Sequence, residues 1–253
     1  MRTVLITGAS SGIGAACAEV LAKEGGYRLL LCARRAERLE ELKNKLIQEI
    51  EGVQVYTFVL DVRDSEAVFT AIKNLPDAWN NIDVLINNAG LSQGLEGVQD
   101  GDLGDWDRMI DTNVKGLLYV TKAVTPLLKA SANAHIINLG SIAGKEVYPN
   151  GNVYCATKHA VDALNKAMRI DLLPFGIKVT AINPGMVETE FSEVRFKGDK
   201  ERAKNVYNGL VPLSGQDIAE TISFVLSRPA HVNINDLLIM PTAQANATVV
   251  DRK

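Results

Sequence analysis

The sequence of 253 residues has no excess of basic residues, since 27 Lys and Arg stand against 30 Asp and Glu and give a net charge of −3. It also contains no Lys/Arg-rich run, so we expect neither nucleic acid nor an anionic membrane as a partner. The apolar runs are too short to span a bilayer, and residues 1–7 are typical of a strand and not of a secretory leader. These absences predict a cytoplasmic protein that acts on a small molecule.

Cysteine is scarce and scattered. Cys17, Cys32 and Cys155 form neither a CxxC pair nor a metal-ligand spacing, so we expect reduced thiols and no bound metal. Internal repeats, low-complexity segments and interdomain linkers are also missing. With 47% hydrophobic and 23% charged residues, the composition is that of one globular domain over residues 1–253.

Strand-like and helical patterns alternate along the whole chain. This alternation predicts an α/β fold with a doubly wound parallel sheet of about seven strands. The predicted strands cover residues 3–7, 27–32, 53–60, 82–86, 135–139, 177–182 and 236–240. Residues 105–130 are predicted to form one long helix. Residues 188–210 are charged, and two interpretations stay open for them: a lid over a substrate, or a solvated segment without ligand contacts.

A glycine-rich turn follows the first predicted strand and opens a helix. In the sequence TGASSGIG, Gly8 permits a tight turn, Gly12 lets a pyrophosphate approach the backbone, and Gly14 lets the helix pack near the strand. The predicted coenzyme contacts in this turn are Gly8, Ser10, Ser11, Gly12, Ile13 and Gly14. The spacing also occurs in unrelated glycine turns, but its position after a strand favours a dinucleotide site.

The second strand runs into Ala33-Arg34-Arg35, where an enzyme that prefers NAD carries an acid for the ribose 2′-hydroxyl. Guanidinium groups can instead hold a 2′-phosphate through paired hydrogen bonds, so the sequence predicts NADP. The alternative is that these arginines are only solvated at the start of the next helix, which fits Arg35 better than Arg34.

Other predicted coenzyme contacts follow later strands. An acid at Asp61 can accept a hydrogen bond from the adenine amino group, and the consecutive Asn87 and Asn88 can tie strands together beneath the cleft. Gly90 leaves room for the ribose and nicotinamide. The predicted contacts outside the glycine turn are Arg34, Arg35, Asp61, Val62, Asn88, Ala89, Gly90, Tyr154, Lys158, Pro184, Gly185, Val187 and Thr189.

The segment from Ser141 to Lys158 carries the candidate acid–base chemistry. Tyr154 and Lys158 are four residues apart, which places them on one face of a helix. A cation beside the phenol favours its ionised form, so we expect Lys158 to lower the pKa of Tyr154. Ser141 follows the fifth strand, at the sheet edge where ligands bind. The Tyr/Lys spacing alone recurs by chance in many helices.

Taken together and in this order, these motifs resemble those of the short-chain dehydrogenases/reductases over nearly the whole chain, a family with a Rossmann fold. The resemblance implies that Tyr154 is the general acid–base group and that Ser141 stabilises the reacting oxygen. It also implies that Lys158 binds the nicotinamide ribose, and that Asn113 holds a water that passes protons from Lys158 to solvent.

Four segments more specifically resemble the NADP-dependent 3-hydroxy acid dehydrogenases, which oxidise serine and L-allo-threonine and reduce malonic semialdehyde. These segments are IDTNVKG at 110–116, GNVY at 151–154, FSEVRFKGD at 191–199 and PAHVNIN at 229–235. Such a substrate needs a partner for its carboxylate, and we predict Arg195 first and Lys197 second. Ser10 departs from the pattern, because many NADP-preferring relatives carry a basic residue there.

Two other functions stay open from the sequence: a reductase of an uncharged ketone, and a coenzyme-binding regulator without catalysis. The resemblance also implies a homotetramer built on the helices at 105–130 and 152–173. An alanine stripe formed by Ala156, Ala160, Ala163 and Ala167 would let another helix approach closely, from a second subunit or from within the monomer.

Overall fold

The computed structural model describes residues 1–253 and contains nine strands. They are β1 (Arg2–Thr7), β2 (Tyr27–Ala33), β3 (Gln54–Val59), β4 (Val84–Asn87), β5 (His135–Leu139), β6 (Lys178–Pro184), β7 (Val187–Glu188), β8 (Leu213–Ser214) and β9 (Asp236–Ile239). Seven of them form one parallel sheet in the order β3-β2-β1-β4-β5-β6-β9. The predicted α/β class and strand number are confirmed.

The chain also forms nine α-helices, six of which pack on the two faces of this sheet. The nine helices are α1 (Gly12–Glu24), α2 (Ala36–Glu49), α3 (Ser65–Lys73), α4 (Leu103–Ile110), α5 (Leu117–Leu128), α6 (Asn152–Asp171), α7 (Phe191–Arg195), α8 (Lys200–Asn205) and α9 (Gly215–Leu226). None of them is long and apolar enough to cross a membrane.

Alternate residues of the strands belong to two separate hydrophobic cores, one on each face of the sheet. In β1, Val4 and Ile6 point to a core shared with α1, α2 and α9, whereas Leu5 points to a core shared with α3, α5 and α6. Because successive side chains of a strand face opposite sides, a sheet covered on both faces needs apolar residues at consecutive positions. This requirement explains the unbroken apolar runs of the inner strands.

The helix predicted over residues 105–130 is confirmed as an unbroken helical stretch, but it contains a π-helical turn that was not predicted. Between α4 and α5, residues Asp111–Gly116 form a π-helical turn. The Asn113 amide within this turn bonds both the N–H and the C=O of Leu91, and Gly116 lies so close to Val62 that an added Cβ would meet it at 2.7 Å. These contacts fix the wider turn, and π-helical turns occur often at functional sites.

The charged segment over residues 188–210 lies between β7 and β8, which pair in parallel as a separate two-stranded sheet. This small sheet was not predicted, because two-residue strands leave no periodic signal. α7 and α8 lie within the segment. The two paired strands therefore bring the beginning and the end of this segment side by side.

Buried asparagines connect the inner strands beneath the site. Asn87 donates to Thr121 and to Asn138, each over 2.9 Å, and the amide nitrogen of Asn138 lies 3.0 Å from Asn165. Buried amides need such partners, because an unmade hydrogen bond costs about 1–3 kcal/mol. The ladder holds β4, β5 and α6 together just below the residues that carry the candidate chemistry.

We expect Asn138→Ala to lower the melting temperature by about 5–10 °C, because it removes partners from two buried amides at once. The measurement is thermal unfolding followed by circular dichroism. Asn80→Ala is the matched control, since Asn80 is exposed and its side chain makes no hydrogen bond. If both variants melted together, the ladder would not contribute to stability.

Candidate active site

An open cavity of about 340 Å³ lies at the carboxyl ends of the central strands. In an open parallel sheet this is the edge where ligands bind. Every coenzyme contact predicted from the sequence lines this cavity except Gly14, which packs behind the turn. Ser141, Tyr154 and Lys158 line the same cavity, so the structure brings the candidate chemistry and the glycine turn together.

The glycine turn is held against the end of β4. The Asn88 amide donates to the carbonyls of Thr7 and Gly8 over 2.8 and 3.2 Å. A Cβ added at Gly14 would lie 2.5 Å from the nitrogen of that amide, which excludes any side chain at this position. Gly12 has a φ of +56°, a conformation that favours glycine.

The first turn of α1 suits an anionic group. Its N-cap residue Ser11 makes no side-chain capping bond, and no acidic residue lies in the first turn. By contrast, α3 is capped by Asp64 and α9 by Ser214. The free amides and the helix dipole at the start of a 13-residue helix therefore fit a pyrophosphate.

Two arginines lie at the other end of the cavity, and only one of them is hydrogen-bonded to other residues of the protein. Arg34 is exposed and makes no side-chain hydrogen bond or ion pair, whereas Arg35 bonds Ser10, Ser11 and Glu190. Asp61 also lies here, and hydrogen bonds from the Arg63 guanidinium hold its pKa below the usual value. A guanidinium without a protein partner fits a 2′-phosphate.

Tyr154, Lys158 and Ser141 are all buried. Tyr154 lies in the first turn of α6, and the Lys158 ammonium, one turn later, is 6.0 Å from the centre of the Tyr154 ring. The Lys158 Nζ donates to the carbonyl of Leu139 over 2.8 Å. Ser141 follows β5, and its hydroxyl accepts a 3.1 Å bond from the Ala143 amide. The hydroxyl, phenol and ammonium thus converge from two elements.

The predicted lowering of the Tyr154 pKa by Lys158 is wrong for this geometry. Burial raises the pKa of Tyr154 above its usual range and Tyr148 adds to the rise, while the Ser141 hydroxyl and the Arg195 guanidinium act against it. Burial also lowers the pKa of Lys158 to about 8. Desolvation outweighs the attraction expected from the spacing, and the phenol is protonated at neutral pH.

Asn113 lies behind the cavity wall and is almost fully hydrogen-bonded. Its Nδ2 donates to the Leu91 carbonyl and to the Thr157 hydroxyl, and its Oδ1 accepts from the Leu91 amide over 2.8 Å. Both amide hydrogens are therefore used for the fold. The role of Asn113 as the holder of a water stays a prediction.

Arg195 extends from α7 to the far side of Tyr154. Its guanidinium carbon is 5.7 Å from the Tyr154 ring and 5.4 Å from the Tyr148 ring, and its Nη2 donates to the Tyr148 hydroxyl over 2.5 Å. Its Nε is buried without a partner. Lys197 is directed elsewhere, because its ammonium pairs with Asp105 over 2.8 Å, and its substrate role stays a prediction.

Three site residues were missed by the sequence analysis. Phe191 packs edge-on against Tyr154 with ring centres 5.6 Å apart, Tyr148 holds Arg195, and Glu190 pairs with Arg35. Tyr148 lies within the segment from Ser141 to Lys158, so its position there was an available signal. Phe191 opens the segment FSEVRFKGD, which carried part of the family resemblance, whereas Glu190 had no such signal because only the fold brings it to Arg35.

Comparison with known proteins identifies close relatives. The profile of the family described as short chain dehydrogenase matches residues 2–200. Sulfoacetaldehyde reductase 2 of Chromohalobacter salexigens is 48% identical over 98% of both chains. The NADP-dependent 3-hydroxy acid dehydrogenase of Schizosaccharomyces pombe is 45% identical over 100% of this chain and 97% of that protein.

Among solved structures, the closed form of a serine dehydrogenase complexed with NADP+ superposes with a TM-score of 0.92 at 43% identity, covering 100% of both chains. Serine dehydrogenase from Escherichia coli gives a TM-score of 0.82 at 38% identity, over 96% of this chain and 100% of that one. These matches confirm the resemblance drawn from the sequence motifs.

Proposed function

The chain belongs to the short-chain dehydrogenase family, and on that premise we propose that it transfers a hydride between NADP(H) and the 3-hydroxyl carbon of a small 3-hydroxy acid. One observation carries this proposal: Tyr154 lines both the large cavity with the glycine turn and a small recess that contains Arg195. The phenol thus stands between a coenzyme cleft and a cation suited to an acid.

The residues of the cavity have distinct roles in this reaction. The bound nicotinamide supplies the hydride chemistry. Tyr154 gives its proton to the carbonyl oxygen in reduction and takes it from the alcohol in oxidation. Ser141 donates to the same oxygen and stabilises its developing charge. The ammonium of Lys158 would bind the ribose hydroxyls with the two hydrogens that its bond to the Leu139 carbonyl leaves free.

Tyr154 carries the proton that reduction requires. Burial raises the pKa of its phenol, which is protonated at neutral pH, and oxidation requires that this proton first be removed. Lys158, with a pKa lowered to about 8, is the adjacent group that can exchange protons near neutrality.

Arg195 is the proposed partner of the substrate's acid group. Its buried, unpartnered Nε and its bond to Tyr148 give a fixed, desolvated guanidinium beside the acid–base phenol. Besides Arg195, the recess is lined by polar residues that include Gln93, Asn150 and Asn152 and by the acids Glu96, Asp102 and Asp105, of which Asp105 is paired with Lys197. A small polar recess argues against a bulky apolar ketone as substrate, and the complete set of acid–base residues argues against a regulator without catalysis.

A second candidate substrate is a small sulfonate, favoured by the 48% identity to a sulfoacetaldehyde reductase. The same guanidinium can hold a carboxylate or a sulfonate, because both present two oxygens to its N–H groups. The substrate class shared by both candidates is a short aldehyde or alcohol with an anionic group two or three atoms from the reacting carbon.

We propose that residues 188–210 are the substrate lid, since they bring Phe191 and Arg195 to Tyr154. We also propose a homotetramer. Three alanines of the α6 stripe are exposed, at positions 156, 163 and 167, so packing within the monomer does not explain them. The three buried, unpaired cysteines suit the reducing conditions of the cytoplasm, the compartment that we propose.

Tyr154→Phe should lower kcat by about 100- to 10,000-fold, because it removes only the transferred proton. NADPH binding, measured by fluorescence titration, should stay unchanged. Tyr119→Phe is the matched control, since Tyr119 lies at the edge of a core away from the cavity. Retention of activity in the Tyr154 variant would show that another group donates the proton.

Arg195→Met should raise KM for 3-hydroxypropionate by about 10- to 100-fold, the value of a charge-assisted hydrogen bond, and leave NADPH affinity unchanged. Lys200→Met is the control, a change of the same charge at an exposed residue of the same segment. An unaltered KM would refute the role of Arg195. Steady-state rates of the wild type on serine, 3-hydroxypropionate and 2-hydroxyethanesulfonate separate the carboxylate from the sulfonate.

The double substitution Ala33→Asp with Arg34→Gln should lower the preference for NADP over NAD by about 100-fold. The new acid can bind the ribose 2′-hydroxyl, while the phosphate loses the free guanidinium. The measurement is kcat/KM for each coenzyme with one substrate. Arg38→Gln, at an exposed arginine of α2, is the control. Coenzyme selectivity equal to that of the wild type would contradict the prediction.

A further inference from the structure

Arg35 is the centre of a small polar cluster at the adenosine end of the cavity. Its Nη2 donates to the Glu190 carboxylate over 2.9 Å and to the Ser11 hydroxyl over 2.7 Å, and its Nε lies 3.3 Å from the Ser10 hydroxyl. All four residues line the cavity. A guanidinium with two adjacent hydroxyls is a donor set for an oxyanion, and here the oxyanion is a carboxylate of the protein itself.

Glu190 comes from a distant part of the chain. It immediately precedes α7, whereas the serines belong to the glycine turn and Arg35 follows β2. Partial burial acts to raise the pKa of Glu190, but hydrogen bonds and the charge of Arg35 outweigh it and keep the pKa below the usual value. The carboxylate is therefore charged at neutral pH, and it occupies donors that a 2′-phosphate needs.

A shared nitrogen makes the two anions exclude each other. Nη2 carries two hydrogens, and Glu190 shares them with the hydroxyls of Ser11 and Ser10. A phosphate held by a pair of Arg35 nitrogens that includes Nη2 therefore competes with Glu190 for these hydrogens. A carboxylate left beside a dianionic phosphate would repel it.

We propose that Glu190 is a coenzyme-specificity residue, whose carboxylate competes with the 2′-phosphate of NADP for Arg35. This inference rests on the proposed binding of NADP in the large cavity. Glu190 weakens NADP binding, because the incoming phosphate has to displace the Glu190 carboxylate from Arg35. Arg34, which has no protein partner, remains the uncontested cation of the pair.

The same carboxylate has the opposite effect on NAD. An uncharged ribose 2′-hydroxyl can donate to a carboxylate, which is how NAD-preferring enzymes of this fold hold that ribose. Glu190 thus narrows the difference in affinity between the two coenzymes. Removal of its charge should widen that difference.

The test is direct binding of NADPH and NADH to the full chain, followed by coenzyme fluorescence without substrate. Glu190→Gln keeps the size of the side chain and removes the charge. We expect NADPH to bind about two- to fivefold more tightly, the range for a partly exposed ion pair, and NADH to bind equally or more weakly. Glu193→Gln is the matched control, because Glu193 is exposed on α7 and makes no side-chain bond.

A second variant separates competition for Arg35 from a general charge effect. In an Arg35→Met background, Glu190→Gln should tighten NADPH binding by less than it does in the wild type, since only charge repulsion remains and there is no guanidinium to compete for. Weaker NADPH binding by Glu190→Gln, equal tightening of both coenzymes, or an undiminished effect in the Arg35→Met background would each overturn the inference. The proposed function itself fails instead if the wild type binds NADH more tightly than NADPH.

Discussion

The close contact between Asn88 and the glycine turn is the constraint on which the site depends. The side-chain amide of Asn88 donates hydrogen bonds to the carbonyls of Thr7 and Gly8. The hydroxyl of Thr7 accepts hydrogen bonds from the backbone amides of Asn88 and Ala89. These bonds join the ends of β1 and β4 at the cavity floor. A little further along the polypeptide, the amide of Leu91 donates to Asn113, and Asn113 donates to the hydroxyl of Thr157. This hydroxyl in turn donates to the carbonyl of Tyr154. Two groups of hydrogen bonds, joined by the short stretch of chain from Asn88 to Leu91, therefore fix the position of α6 relative to the glycine turn.

Burial decides the electrostatics of the acid–base pair. The spacing of Tyr154 and Lys158 suggested that the ammonium would favour the phenolate, yet the pKa of Tyr154 is raised and that of Lys158 is lowered to about 8. Both shifts favour the neutral side chain, as expected when a charge loses its contact with water. The helix thus places two groups that resist ionisation beside each other. Charges from the ligands and from the lid have to shift the balance, and Arg195 is the protein cation that already acts on the phenol in this way.

Local patterns predicted the fold and most of the coenzyme cleft, because those features arise from short stretches of sequence. The glycine turn from Gly8 to Gly14 and the polar residues after each strand could be recognised without knowledge of distant contacts. The π-helical turn around Asn113 could not, since it depends on the backbone of Leu91. The pairing of Arg35 with Glu190 could not be predicted either, because the two residues are 155 positions apart. Contacts of this kind depend on the completed fold, and they determine which arginine is free to bind a ligand.

Residues 190–195 contact both ends of the site within a very short stretch of chain. Glu190 contacts the arginine at the coenzyme end, whereas Arg195, at the end of the same short helix, contacts the tyrosines at the substrate end. Phe191 lies between them and packs on Tyr154. Glu190 is the N-cap of α7 and Arg195 is its last residue, so one helix of five residues separates the two contacts. The same short stretch of chain therefore presents a carboxylate to Arg35 and a guanidinium to Tyr148 and Tyr154.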